Sequence, residues 1–254
     1  MILLAIDSRG VARLTVDNQR KLNVVGSALL DDFRRQVEML GRDDTLRAVV
    51  VTGAGSKAFI GGADIQEMAR LDEKSARTYI TRLHRACDAL RRLPFPSIAR
   101  ISGYALGAGL EIAAACDLRI ASTTARFGMP EVKVGIPSVI EAALLPALIG
   151  WGRTRRMLLA GEIHTARQAE SWGLVDQVST PKGLDKAVAA TVESILKAGP
   201  AAIRLQKKLI RQWEDLTVNA AIEAGIDVFA EAYSTHEPRR MMQAFLNRPK
   251  RSKR

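Results

Sequence analysis

Glu111 is the one acidic side chain in Ile101-Ser-Gly-Tyr-Ala-Leu-Gly-Ala-Gly-Leu-Glu-Ile-Ala-Ala-Ala-Cys116, a run otherwise almost wholly small or apolar. It follows Gly107-Ala108-Gly109 closely, and small residues let a backbone approach a ligand. The turn they make opens what reads as a helix, whose first amide hydrogens have no partner within the helix. A carboxylate beside such donors suits proton transfer next to a stabilised oxyanion. The same placement also suits a glutamate near the third helical position that completes a cap. Residue types alone leave both open.

Two other segments carry candidate chemistry. In Ala58-Phe-Ile-Gly-Gly-Ala-Asp-Ile-Gln-Glu-Met68, the residues Gly61 to Asp64 read either as a second backbone cradle or as a loop before a helix capped by Asp64. In Phe127-Gly-Met-Pro-Glu-Val-Lys-Val-Gly-Ile-Pro137, Glu131 follows Pro130 and by residue type is a turn carboxylate at the surface.

The elements that would position these groups are legible in outline. Ile2 to Ile6 and Val11 to Val16 flank Asp7-Ser-Arg-Gly10 as a hairpin. Leu30, Phe33, Val37 and Leu40 recur at helical spacing from Ser27 to Gly41. Leu46 to Thr52 is a β-rich run, and a long helix follows with Ile80, Leu83, Cys87 and Leu90 on one face, stopped by Pro94 and Pro96. Ser97 to Ile101 and Leu118 to Ala121 read as short strands. Strands alternating with helices predict an α/β core. Beyond Val139 the pattern is mainly helical, over Ile140 to Ile149, Thr165 to Trp172, Leu184 to Lys197, Ala201 to Trp213 and Val218 to Leu246. The division this suggests is a core over 1–195 and a helical C-terminal region with a basic tail over 196–254.

Composition removes several classes. Hydrophobic residues make up 47% of the 254 and charged ones 26%, enough to bury a core. Two cysteines, Cys87 and Cys116, sit in apolar helical patterns and read as core residues in a reducing compartment. Three scattered histidines lack ligand spacing, so no metal is expected. The N-terminus lacks a basic leader and no apolar run reaches membrane-span length, which predicts a cytoplasmic protein. The net charge of +11 admits nucleic acid or a polyanionic ligand as partner. With 5% aromatic residues and no base-stacking motif, nucleic acid is the weaker reading. Five positive charges fall in Asn247 to Arg254, a tail that reads as a solvated end.

Together and in this order, the three motif segments resemble the enoyl-CoA hydratase/isomerase (crotonase) superfamily, with similarity running from Asn18 to Leu246. The resemblance implies a spiral of ββα repeats with a helical C-terminal trimerisation region, assembled as trimers or dimers of trimers. It implies an acyl-CoA thioester substrate, with coenzyme A entering only as part of that substrate and no permanently bound cofactor. The thioester oxygen would lie between the backbone amides of Ala63 and Ala108. The family usually has glycine at the second position; alanine serves if its φ is negative.

Family hydratases carry two glutamates, at positions matching Glu111 and Glu131, the first activating water and the second delivering the α-proton. Two close, half-buried carboxyls favour one shared proton. Having both implies hydration over isomerisation, thioester hydrolysis or decarboxylation. The resemblance places Lys21, Leu22 and Val24 on the CoA nucleotide side. It places Gly62, Asp64, Ile65, Tyr104, Leu106, Gly109, Pro130 and Gly135 among the other substrate contacts. One departure stands out: after Pro137 many hydratases run through a glycine-rich turn, whereas this chain has Ser138-Val-Ile-Glu-Ala142. Glu141 is then either a third polar group in the site or exposed on a helix.

Overall fold

A computed structural model describes residues 1–247. The basic tail, apart from Asn247, lies outside the described residues. The chain divides into two compact units, one running from Met1 to Val192 and the other starting at Glu193.

The first unit is built on two sheets. Strands β1 (Ile2–Ile6) and β2 (Val11–Val16) form the antiparallel hairpin, and β3 (Ala48–Gly53) pairs with β2 in parallel. Short β4 (Ala58–Ile60) follows β3 but joins the other sheet. Strands β5 (Ser97–Ile101), β7 (Leu118–Ser122) and β10 (Gln177–Ser179) complete a sheet of order β1-β2-β3-β5-β7-β10. Strands β6 (Tyr104–Leu106), β8 (Arg126–Gly128) and β9 (Ile163–Thr165) complete a smaller one of order β4-β6-β8-β9. The pairs β3/β4, β5/β6 and β7/β8 each give one strand to each sheet before the chain moves to the next position. This is a ββα spiral.

Every residue of β3 is buried, which explains its unbroken Ala-Val-Val-Val run: a parallel strand covered on both faces has no solvent side to mark with polar residues. The helices between the pairs are α1 (Ser27–Leu40), α2 (Ile65–Met68), α3 (Glu73–Arg91) and α4 (Ala108–Ala115). α1 buries Leu30, Phe33, Val37 and Leu40, the stripe its spacing predicted. α3 buries Tyr79, Leu83, Ala86, Cys87 and Leu90, and a capping box between Asp72 and Ser75 fixes its start. α4 is buried along its whole length, Glu111 included. α5 (Leu145–Ala160), α6 (Ala166–Trp172) and α7 (Leu184–Leu196) follow.

Two expected helices are divided. The one predicted over Ile140 to Ile149 starts as a 3₁₀ turn, Ile140–Leu144, before α5. Ile140 has φ +41°, outside helical space, and Pro146 suits the first turn of a new helix. In the second unit, α8 (Pro200–Trp213) matches its expected span, but Val218 to Leu246 forms α9 (Val218–Ala232) and α10 (Glu237–Leu246). Pro238 in the first turn of α10 has no amide to continue the preceding helix. Among the described residues no helix is long and apolar enough to cross a membrane.

Candidate active site

Strands β4, β6 and β8 are parallel neighbours in the smaller sheet. Each delivers one piece of chemistry just past its C-terminal end: Ala63 after β4, Ala108 after β6, Glu131 after β8. In α/β sheets this end is where ligands bind, because the turns leaving parallel strands converge there. A cavity of about 720 Å³ opens at that point, lined by Ala63, Ala108, Glu111 and Glu131 together. Its apolar wall comes from Met68 at the end of α2, Leu71 beyond it, and Tyr79, Ile80 and Leu83 on α3.

Ala63 and Ala108 have no positive φ, and neither amide donates a hydrogen bond among the described residues. Ala108 is the first residue of α4, where no intrahelical acceptor exists. Both residues line the cavity, and both donors are unspent. The cradle after β6 needs glycine twice. Gly107 has φ +49°, and a Cβ there would lie 2.2 Å from Glu131 Oε1. Gly109 packs so closely that a Cβ would lie 2.1 Å from the carbonyl oxygen of Ile60, tying α4 to the strand carrying the other amide.

Glu111 is the fourth helical residue, one beyond the position expected, and it is no cap. Its backbone amide bonds to the Gly107 carbonyl while its side chain points inward, 4% exposed. Oε1 accepts a hydrogen bond at 3.2 Å from the Ala142 amide, which also donates to the Val139 carbonyl at 2.9 Å. Burial is the main force on its ionisation, with the charge of Glu131 second. Together with Glu141 they outweigh the Ala142 amide and push the pKa up to about 8. Glu131 is no free surface residue: it begins a 3₁₀ turn, Glu131–Val134, is half-buried, and accepts a 2.8 Å hydrogen bond from Ser138 Oγ.

Glu141 is buried, 3% exposed, not set on a solvated helix face. Its Oε1 is 2.9 Å from His84 Nδ1 on α3, while Oε2 is buried without a hydrogen bond. Burial raises its pKa despite opposing pulls from His84, Arg91 and the Cys87 thiol. Cys87, fully buried beside Glu141 and Glu111, is held well above the usual thiol range, first by burial and then by those carboxylates. Glu141 does not line the cavity; its neighbours Ser138 and Val139 do.

The sequence pattern of the enoyl-CoA hydratase/isomerase family fits residues 7–252. The chain belongs to that family. Within it, the chain is 33% identical over 241 residues to the short-chain-enoyl-CoA hydratase of Clostridium acetobutylicum, covering 94% of this chain and 92% of that protein. It is 31% identical over 241 residues to the crotonyl-CoA hydratase of Syntrophomonas wolfei, covering 94% and 93%. The crystal structure of enoyl-CoA hydratase from Mycobacterium smegmatis superposes with a TM-score of 0.94 at 31% identity, covering 96% of this chain and 95% of that one.

Against the family expectation, the cavity gathers five of the predicted residues: Ala63, Ile65, Ala108, Glu111 and Glu131. The others do not line it. Gly62 has φ +126° and lies against the Leu106 carbonyl; Gly109 fixes α4, and Pro130 and Gly135 bracket the Glu131 turn. Asp64 caps α2, accepting from the Gln66 and Glu67 amides. Although burial alone would raise its pKa, those amides and Lys21 hold it below the usual range. Lys21 Nζ is 3.4 Å from Asp64 Oδ2 and half-exposed. Leu22 and Tyr104 are exposed and Val24 half-buried, all outside the cavity lining.

Sequence reasoning missed the parts that position the acids: Ser138, the Ala142 amide and His84. It also treated the α3 stripe as core alone. Tyr79, Ile80 and Leu83 do pack inward, yet the same face forms the cavity wall. Nothing in helical periodicity separates those two uses.

Proposed function

We propose that this family member adds water across the conjugated double bond of a short 2-enoyl-CoA thioester. The observation that carries the reading is the meeting of Glu111, Glu131 and the unspent amides of Ala63 and Ala108 in one cavity. Attack at the β-carbon drives electrons onto the thioester oxygen. Two fixed amides there stabilise that charge, and one such donor elsewhere is worth about 2.7–4 kcal/mol.

In hydration Glu111 takes a proton from water as the oxygen bonds to the β-carbon, and Glu131 gives one to the α-carbon. The pair holds one proton before and after, moved from Glu131 to Glu111. Dehydration runs the reverse, with neutral Glu111 protonating the departing hydroxyl. Burial favours the proton on Glu111, the arrangement from which dehydration starts; hydration starts from the arrangement with the proton on its partner.

The apolar wall from Met68 to Leu83 suits an unbranched acyl chain, and the relatives named for short-chain and crotonyl substrates favour a short one. Lys21, Leu22 and Val24 flank the CoA side, where the half-exposed Lys21 ammonium acts as a point charge for phosphate. The protein works as a homotrimer or a dimer of trimers. The support is the apolar, exposed face of α9, where Val218, Ile222, Ile226 and Phe229 recur at helical spacing.

The test is incubation with crotonyl-CoA, following loss of conjugated-enoyl absorbance and mass gain of one water. Release of free CoA or a shifted double bond without water gain would replace this reading with hydrolysis or isomerisation.

A further inference from the structure

The turn Ser138–Ala142 touches both acids. Ser138 Oγ donates to Glu131, and the Ala142 amide donates to Glu111. The start of the turn has little packing, whereas Ile140 and Ala142 pack against the core. Ser138 and Val139 line the main cavity on one side and, on the other, a second hollow of about 430 Å³ bounded by Pro146, Trp151 and Leu158. Ile140 has φ +41°, a conformation a β-branched residue adopts only when its surroundings hold it there.

Besides that packing, one polar contact holds the strained segment to α3. His84, half-exposed on α3, reaches Glu141 at 2.9 Å. An apolar side chain would fill the Glu141 position with no stranded oxygen, since a buried carboxylate with an unpartnered Oε2 burdens the fold. A costly group retained beside a candidate site is better explained by what it holds in place than by stability.

We propose that His84 and Glu141 form a latch that keeps the Ser138–Ala142 turn closed on the two acids, making Glu141 a positioning residue for Glu111 through the Ala142 amide. This rests on the two-acid reading for its effect on rate, but not for its effect on the turn. Glu141 does not line the cavity.

The test combines amide exchange with kinetics on His84→Ala and Glu141→Ala. Losing the partner of a buried carboxyl is worth about a tenfold change or more, so the Ala142 amide exchanges at least about tenfold faster in either variant. Exchange in β3 stays unchanged. With crotonyl-CoA, kcat falls at least about tenfold while KM stays within about twofold, because only the acid is displaced. On a Glu111→Gln background neither change lowers the rate further, since the residue they act through is gone. His84 is exposed enough that its variant tests the idea even if Glu141→Ala does not fold. Unchanged Ala142 exchange, or an equal loss of rate on the Glu111→Gln background, overturns the latch. If Glu111→Gln alone keeps the parent rate, the two-acid reading falls instead, and exchange by itself decides the latch.

Discussion

Oε1 of Glu131 occupies the space a side chain at Gly107 would need, 2.2 Å from where that Cβ would stand. The residue that opens the amide cradle thus also leaves room for the second acid. Gly107→Ala sets a left-handed backbone against a side chain and pushes Glu131 away. Expected is a loss of about 1–3 kcal/mol in a denaturant melt and a fall of about a hundredfold in kcat for hydration. Wild-type rate in a folded G107A protein would refute the shared-space argument.

Glu111→Gln separates stability from chemistry. The folded protein holds this carboxyl neutral up to about pH 8, against an ordinary value of 4.5. Below pH 4.5 it is neutral folded or unfolded and costs nothing. As pH rises from there, the unfolded chain gains by ionising and the folded one does not, so stability is lost until the folded group itself ionises near pH 8. The variant is therefore more stable than the parent at pH 7, by on the order of 3 kcal/mol, and equal to it at pH 4. Hydration falls by about 10²–10⁴-fold. Urea melts at pH 4, 6 and 8 check the first outcome, and a crotonyl-CoA assay the second.

Ile80 lines the cavity wall and is partly buried. Ile80→Trp shortens the cavity there. Activity on octenoyl-CoA is expected to fall at least about tenfold relative to crotonyl-CoA, since a pocket contact of this kind discriminates by about that much. Equal effects on both thioesters would place the acyl chain elsewhere.

Phe229 is 68% exposed on α9, so a charge there spares the fold of its own chain. Phe229→Glu should convert a trimer or hexamer to monomers in light scattering coupled to gel filtration. An unchanged assembly mass would mean that α9 is not the contact.

How far the sequence carried depends on length and on what periodicity can encode. The helix at Ser27 and the hairpin at Ile2 were readable because their buried faces repeat over several turns or alternations. β4, β6, β8 and β9 span three residues each, too few for any pattern, so the smaller sheet was invisible even though it carries the site. Glu111 stood out as a lone acid among small residues. Glu131, by contrast, was indistinguishable from a turn glutamate without the family resemblance. Glu141 could not be assigned, because its polar partner is His84, 57 positions away on another helix. The Ser138 and Ala142 contacts depend on a positive φ at Ile140, and no residue type announces such strain.

The smaller sheet separates two kinds of contribution to the proposed reaction centre. Strands β4 and β6 bring main-chain nitrogens, which any sequence that preserves the fold must retain. The acids are side chains, on α4 and on the turn after β8, exchangeable by single codons. A lineage built on this plan can therefore abandon or relocate its proton carriers and still hold a thioester ready for a different transformation.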